Sequence, residues 1–265
     1  MPFLRTSIRN KLPRGLQVPA RYWYGWVRQT LEAEMRILGR IVQPGEHVVD
    51  VGGNRGVYTY KLWRLGCAVE VFEPNLACCK VLEAWGNGKN RIHVNRVALS
   101  SSNGQVSLHI PVDEAGVEHD ASASLEHGFT ASRAEAVATC TLDSFGYEDL
   151  TLIKIDVEGH ERSVLAGAAG TLRTCAPALL VEIEQRHNAE RIDRIFDTLR
   201  NHGYFGYFLE PWKGYLRKLR DFSGVRVHSM DQFGIGAGRY ITNFIFLHQH
   251  RIADGRYSAL HVPGR

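Results

Sequence analysis

The sequence predicts an α/β fold, with a mostly parallel sheet and helices on both faces. Three observations carry this. Residues 47–97 alternate short β-rich runs with helical stretches, and such alternation implies right-handed crossovers and a parallel sheet. Two later runs, 150–157 and 177–184, are strongly apolar and read as further buried strands. Finally, 26 of the 265 residues are glycine, with no collagen-like period and no Gly/Ser linker run. They must sit in turns, or where backbone approaches something closely.

Taken in order, Leu31, Met35, Leu38, Ile41 and Val42 recur at helical spacing, and Pro44-Gly45 ends that helix. A strand at 47–51 runs into a helix at about 57–65, closed by Gly66. A strand at 69–72, a helix at 75–85 and a strand at 92–97 follow. Residues 105–110 alternate as a strand, 112–138 read as a loop or lid, and 139–142 as a short strand. The strand at 150–157 leads to a helix through about Leu172. After 177–184 come a helix at 189–202 and strands at 204–209 and 241–248.

Hydrophobic residues make up 44% and charged residues 23% of the chain, an ordinary globular balance that excludes wholesale disorder. A net charge of +4 is too mild to demand a nucleic-acid partner. The charge is uneven, however. Residues 1–31 hold Arg5, Arg9, Lys11, Arg14, Arg21 and Arg28 and no acid. This arm reads either as a solvated tail or as a surface that meets an anionic substrate, lipid head group or membrane face. The five cysteines (67, 78, 79, 140, 175) match no C-x-x-C pair, and read as reduced in a cytoplasmic protein. No secretory leader or membrane-spanning run is apparent.

The chemistry concentrates at two places. The first is Asp50-Val51-Gly52-Gly53-Asn54-Arg55-Gly56, between a strand and a helix. The dinucleotide pattern G-x-G-x-x-G fails, because Asn54 stands where it needs glycine. The spacing fits the Asp-x-Gly-x-x-x-Gly loop of proteins that bind S-adenosylmethionine. Glu73 follows Gly56 by 17 residues, near the roughly 20-residue offset of an acid that accepts ribose hydroxyls. The second is Lys154-Ile155-Asp156-Val157-Glu158-Gly159-His160-Glu161, at the carboxyl end of a strand. Glu182, Glu184 and His187 reach the same rim from the next strand. Crowded carboxylates and imidazoles there mark a candidate active site. No compact metal-ligand motif is present, and no metal is assigned.

In order, Val-Val-Asp-Val-Gly-Gly-Asn-Arg-Gly (48–56), Phe-Glu-Pro-Asn (72–75), Ala-Leu-Ser (98–100) and Thr-Leu-Asp-Ser-Phe (141–145) resemble the FkbM-type methyltransferases. So do Ile-Lys-Ile-Asp-Val-Glu-Gly-His-Glu (153–161), Leu-Val-Glu-Ile-Glu (180–184) and Asn-Phe-Ile-Phe (243–246). One departure is Gly53, where the family more often has alanine, an exchange expected to be tolerated. The resemblance implies a Rossmann-like class I methyltransferase sheet of seven strands, the last antiparallel. The match covers roughly residues 30–250, so the expected divisions are a basic arm at 1–28, the methyltransferase domain at 29–250 and a tail at 251–265. S-adenosyl-L-methionine would be the cofactor, held by Asp50, Gly52, Gly53, Asn54, Gly56, Tyr58, Thr59, Glu73, Pro74, Asn75, Val97 and Ala98. The acceptor would be a hydroxyl on a saccharide, glycan or polyketide-type product, chosen by 112–138 and 211–240.

Methyl transfer to an alcohol needs a general base. His160 is the leading candidate, oriented by Asp156 or Glu158, with Glu182, Glu184 and His187 in reserve. N-methylation stays open, as do a catalytically inactive binding protein and a nicotinamide-dependent oxidoreductase. The oligomeric state is not legible.

Overall fold

A computed structural model describes residues 12–113, 116, 118, 123–126, 131–187, 192–210, 215–219 and 241–260. Much of the two segments expected to choose the acceptor, the late glycines 234, 236 and 238, and residues 1–11, 188–191 and 261–265 lie outside the described residues.

Eight strands form the main sheet: β1 His47–Val51, β2 Ala68–Phe72, β3 Ile92–Asn95, β7 Leu150–Ile155, β8 Ala178–Glu182, β9 Tyr204–Glu210, β10 Tyr215–Lys218 and β11 Asn243–His248. Their order is β10-β9-β11-β8-β7-β1-β2-β3. The pairs β1–β2, β2–β3, β1–β7 and β7–β8 are parallel, and β11 lies antiparallel between β8 and β9. From β1 the chain winds outward through β2 and β3, then returns to β7 on the other side. The crevice at the carboxyl ends of β1 and β7 is therefore the topological switch point, where open α/β sheets bind ligands.

Both faces of the central strands are covered, which explains their uniformly apolar runs. Val48, Val69, Leu152, Leu180 and Ile245 point to one core, where helices α1 (Arg14–Arg28), α3 (Val57–Arg64) and α4 (Leu76–Gly86) contribute Val18, Tyr22, Leu62 and Leu82. Val49, Ile153, Leu179, Val181 and Phe244 point to the other. There α5 (Glu161–Ala166), α6 (Ala169–Cys175) and α7 (Asp193–Asn201) supply Leu165, Leu172 and Phe196. A smaller sheet, β4 (Ala98–Leu99), β5 (Gly104–Pro111) and β6 (Ser132–Cys140), closes over a third cluster of Leu108, Ile110 and Val137.

Several expectations are corrected. Residues 14–28 are not part of a free arm: they form α1, with Val18 and Tyr22 in the main core. Nor are residues 251–260 a loose tail, since α8 (Gln249–Ala253) is followed by the buried Tyr257 and Leu260. The apolar stripe 31–42 is not one helix but a 3-10 turn, Ala33–Arg36, and the single turn α2, Leu38–Ile41. Its spacing reflects burial of Met35, Leu38 and Ile41 rather than a continuous helix. Part of 112–138 is strand β6, paired in antiparallel register with β5. The helix after β7 breaks at Gly167, where a Cβ would lie 2.0 Å from the Ser100 carbonyl oxygen. The sheet has an eighth strand, β10, beyond the seven expected.

Candidate active site

Asp50, one residue before the end of β1, is almost fully buried. Its Oδ2 accepts a 2.6 Å hydrogen bond from the Thr59 hydroxyl. Its Oδ1 is buried with no hydrogen-bond partner. Burial pushes the carboxyl pKa up, against the pull of Lys154. A buried oxygen left unpaired is costly, and such a group in a cleft is aimed at a ligand. After Asp50 the backbone reverses through Gly52 (φ 74°), Asn54 (φ 45°) and Gly56 (φ 78°). A Cβ on Gly52 would sit 1.9 Å from the Asp156 carbonyl oxygen, so only glycine fits between β1 and β7.

Glu73 leaves the end of β2 and braces this loop. Its Oε2 accepts from the Asn54 N–H and its Oε1 from the Asn75 N–H, both at 2.7 Å. Glu73 and Pro74 form one wall of a cavity closed by Val51, Ala98, Leu99, Leu108, Leu125 and His160. An acid facing apolar walls is a chemistry that suits a nucleoside.

A second cavity adjoins the first, the two sharing Gly52, Asn54, Asp156 and Glu158. It is polar, and carboxylates gather around Lys154. The Lys154 ammonium lies 2.6 Å from Asp156 Oδ2 and 4.7 Å from the centre of the Tyr58 ring. Asp50 and Glu32 add to the field that raises the lysine pKa, against the opposing pull of its complete burial. Glu182 lines the same cavity. Burial, then the negative charge of Asp156, raises its pKa to about 9. Glu32 accepts from the Tyr58 hydroxyl at 2.6 Å and from Asn243 Nδ2 at 2.9 Å.

Of the expected catalytic cluster, Asp156 and Glu158 line both cavities, Glu182 only the second and His160 only the first. Its Nδ1 pairs with Glu126 Oε1 at 2.5 Å and its Nε2 with the Ser100 hydroxyl at 2.9 Å, so neither Asp156 nor Glu158 orients it. The cause is the backbone: Glu158 (φ 49°) and Gly159 (φ 104°) are both left-handed and swing the chain across the rim. His187 instead pairs with Glu158 Oε2 at 3.0 Å. Glu184 is buried beyond β8 and lines neither cavity.

Among the expected cofactor residues, Asp50, Gly52, Gly53, Asn54, Tyr58, Glu73, Pro74 and Ala98 line one cavity or the other. Thr59 and Gly56 support the loop from behind. Asn75 caps α4 through a 2.9 Å bond from the Ala77 N–H, and Val97 packs into the second core. The Thr-Leu-Asp-Ser-Phe block is structural: Asp143 accepts from the Gly170 N–H, the Thr171 N–H and the Thr171 hydroxyl.

Glu32, Ser124, Glu126 and Asn243 escaped sequence reasoning. Ser124 donates to the Glu158 carbonyl at 2.8 Å, and with the Glu126–His160 pair it pins residues 123–126 over the first cavity. Asn243 opens the Asn-Phe-Ile-Phe block but was given no role; no motif surrounds Glu32, Ser124 or Glu126, so only tertiary contact reveals them. Among the described residues, no group of three or more His, Cys, Asp or Glu is placed to hold a metal ion.

A family model described as the methyltransferase FkbM domain matches residues 50–205, more than half of the chain. No curated protein matches the sequence. Among solved structures, a methyltransferase FkbM from Methylobacillus flagellatus KT is 16% identical at a TM-score of 0.48, with 91% of this chain and 57% of that chain covered. The chain thus spans less than two thirds of that protein. An rRNA methylase from Streptococcus thermophilus is 11% identical at a TM-score of 0.46, covering 82% of this chain and 95% of its own. An O-methyltransferase from Bacillus cereus, in complex with SAH, is 13% identical at 0.42, covering 81% and 78%. The family match runs from Asp50 past the Glu73, Asp156 and Glu182 positions, and on it this chain belongs to the FkbM family of S-adenosylmethionine-dependent methyltransferases.

Proposed function

We propose that the chain methylates a hydroxyl of a saccharide, glycan or polyketide-type acceptor seated in the carboxylate-lined cavity. The observation that carries this reading is the acceptor-rich wall of Glu32, Asp156, Glu158 and Glu182. Such a wall suits a ligand with many O–H donors. It disfavours an amine, because surrounding carboxylates hold an amine protonated and unreactive.

The residues present fit the cofactor. Glu73 would take the ribose hydroxyls, Ala98, Leu99, Leu108 and Leu125 the base, and the unpaired Asp50 Oδ1 a cationic amino group. When bound, S-adenosylmethionine supplies an electrophilic methyl group on a positively charged sulfur. The chain's own task is then to position the hydroxyl and receive its proton. Glu182 takes the role first assigned to His160: it lines the acceptor cavity, and its raised pKa makes it the stronger base. Asp156, fixed by Lys154, and Glu158, fixed by His187, orient the acceptor. The five free cysteines fit a reducing, cytoplasmic setting.

The test is turnover on a panel of saccharide and polyketide acceptors, with S-adenosylmethionine binding measured separately by calorimetry. Glu182→Gln should lower turnover by about 100-fold or more while leaving cofactor affinity within a few-fold of the parent. Turnover of the parent should climb with pH toward about 9 as Glu182 loses its proton. Undiminished turnover in Glu182→Gln sinks the base assignment. Cofactor binding without turnover on any acceptor favours an inactive binding protein.

A further inference from the structure

We propose that the outer face of α1 docks on an anionic lipid bilayer. Leu16, Trp23 and Val27 fall on one line of this helix, and Trp26 stands beside them. They are 56%, 42%, 69% and 59% exposed. The opposite face already buries Val18, Tyr22 and Gly25 in the protein. A helix that only covered the core would show solvent a polar outer face; this one is apolar on both sides.

Charge selects the occupant. Residues 1–31 contain no acid, and Arg28 is exposed at the end of α1 next to Val27. The Arg64 guanidinium lies 4.7 Å from the centre of the Trp23 ring, bringing further positive charge to the stripe. Tryptophan beside arginine on an amphipathic helix suits the interface of a bilayer that carries negative head groups. A second copy meeting this face would set two acid-free helices, each with Arg28 and the Arg64–Trp23 stack, against one another. No helix among the described residues is long and apolar enough to cross a membrane, so α1 would lie in the plane of the interface.

The same helix lends Arg21, Tyr24 and Gly25 to the carboxylate-lined cavity. If that cavity receives the acceptor, as proposed above, docking would favour an acceptor carried on a lipid.

Co-sedimentation of the full chain with vesicles tests the docking without reference to activity. The chain should sediment with vesicles of phosphatidylcholine and phosphatidylglycerol, not with phosphatidylcholine alone, and high salt should release it. Trp26→Ser combined with Val27→Ser should abolish sedimentation while calorimetric S-adenosylmethionine binding stays at the parent value. Arg28→Ser should weaken vesicle affinity by roughly fivefold. No binding to anionic vesicles, or binding that survives the paired serine change, overturns the proposal. So does a solution dimer of the parent chain that the same pair disrupts.

Discussion

Glu182 sits where its charge is least welcome, beside Asp156 and under the sheet edge. Its folded pKa of about 9 exceeds the ordinary 4.5, so between those values the folded chain binds more protons than the unfolded one. Stability must then fall as pH rises through that window. Glutamine cannot ionise. Glu182→Gln should therefore raise the melting temperature by several degrees at about pH 8 and by almost nothing at about pH 4, as thermal denaturation at the two pH values would show. The same substitution that removes the proposed base should thus strengthen the fold. Lys154 is the converse case. Lys154→Met would strand Asp156 beside Asp50 and Glu182 without the ammonium that faces them. A loss of about 3–5 kcal/mol in urea unfolding is expected, since breaking a buried pair leaves uncompensated charge. At this scale the residue types at the rim were legible, but their grouping was not. His160 follows Asp156 by four positions. Two left-handed residues between them, one of them not glycine, turn its ring toward Glu126 and Ser100 instead of Asp156.

The loop after β1 shows how an element can depart from its family's pattern. Alanine in place of Gly53 looks harmless in the sequence. In this chain a Cβ there would lie 2.3 Å from Val71 Cγ1, on a buried strand. Gly53→Ala should cost about 1–3 kcal/mol by overpacking, and Val71→Ala should relieve most of it; a double-mutant cycle in denaturant measures that coupling. Strands β1, β2, β7 and β8 could be read from the sequence because both their faces are buried. β6 could not. Its Ser-Arg-Ala-Glu-Ala run has little strand character, and its register comes from pairing with β5. The break between α5 and α6 was equally hidden, because it answers to the Ser100 carbonyl, which is distant in sequence from Gly167.

For the molecule as a whole, the ends carry more than the sequence suggests. α1 packs Val18 and Tyr22 into the core, and Tyr257 and Leu260 join them from the other terminus. Tyr22→Ala should cost about 3–5 kcal/mol, as truncation of a large core aromatic does; a surface arm would lose almost nothing, and denaturant melts distinguish the two. Composition and charge could not reveal this, because a basic stretch gives no sign of which face of its helix is covered. The ordered motifs fixed the parallel core and both acidic rims, and they all lie within the stretch that could be recognised. Glu32 lies in none of those motifs.

Glu32 joins Tyr58 to Asn243, and Asn243 begins the strand that wedges between β8 and β9. During synthesis the glycine loop, Glu73 and Asp156 leave the ribosome long before that strand. Until β11 arrives, β8 keeps an open edge and Glu32 lacks one of its two partners. The cofactor loop thus depends on residues far earlier in the chain than the contact that completes the Glu32 network.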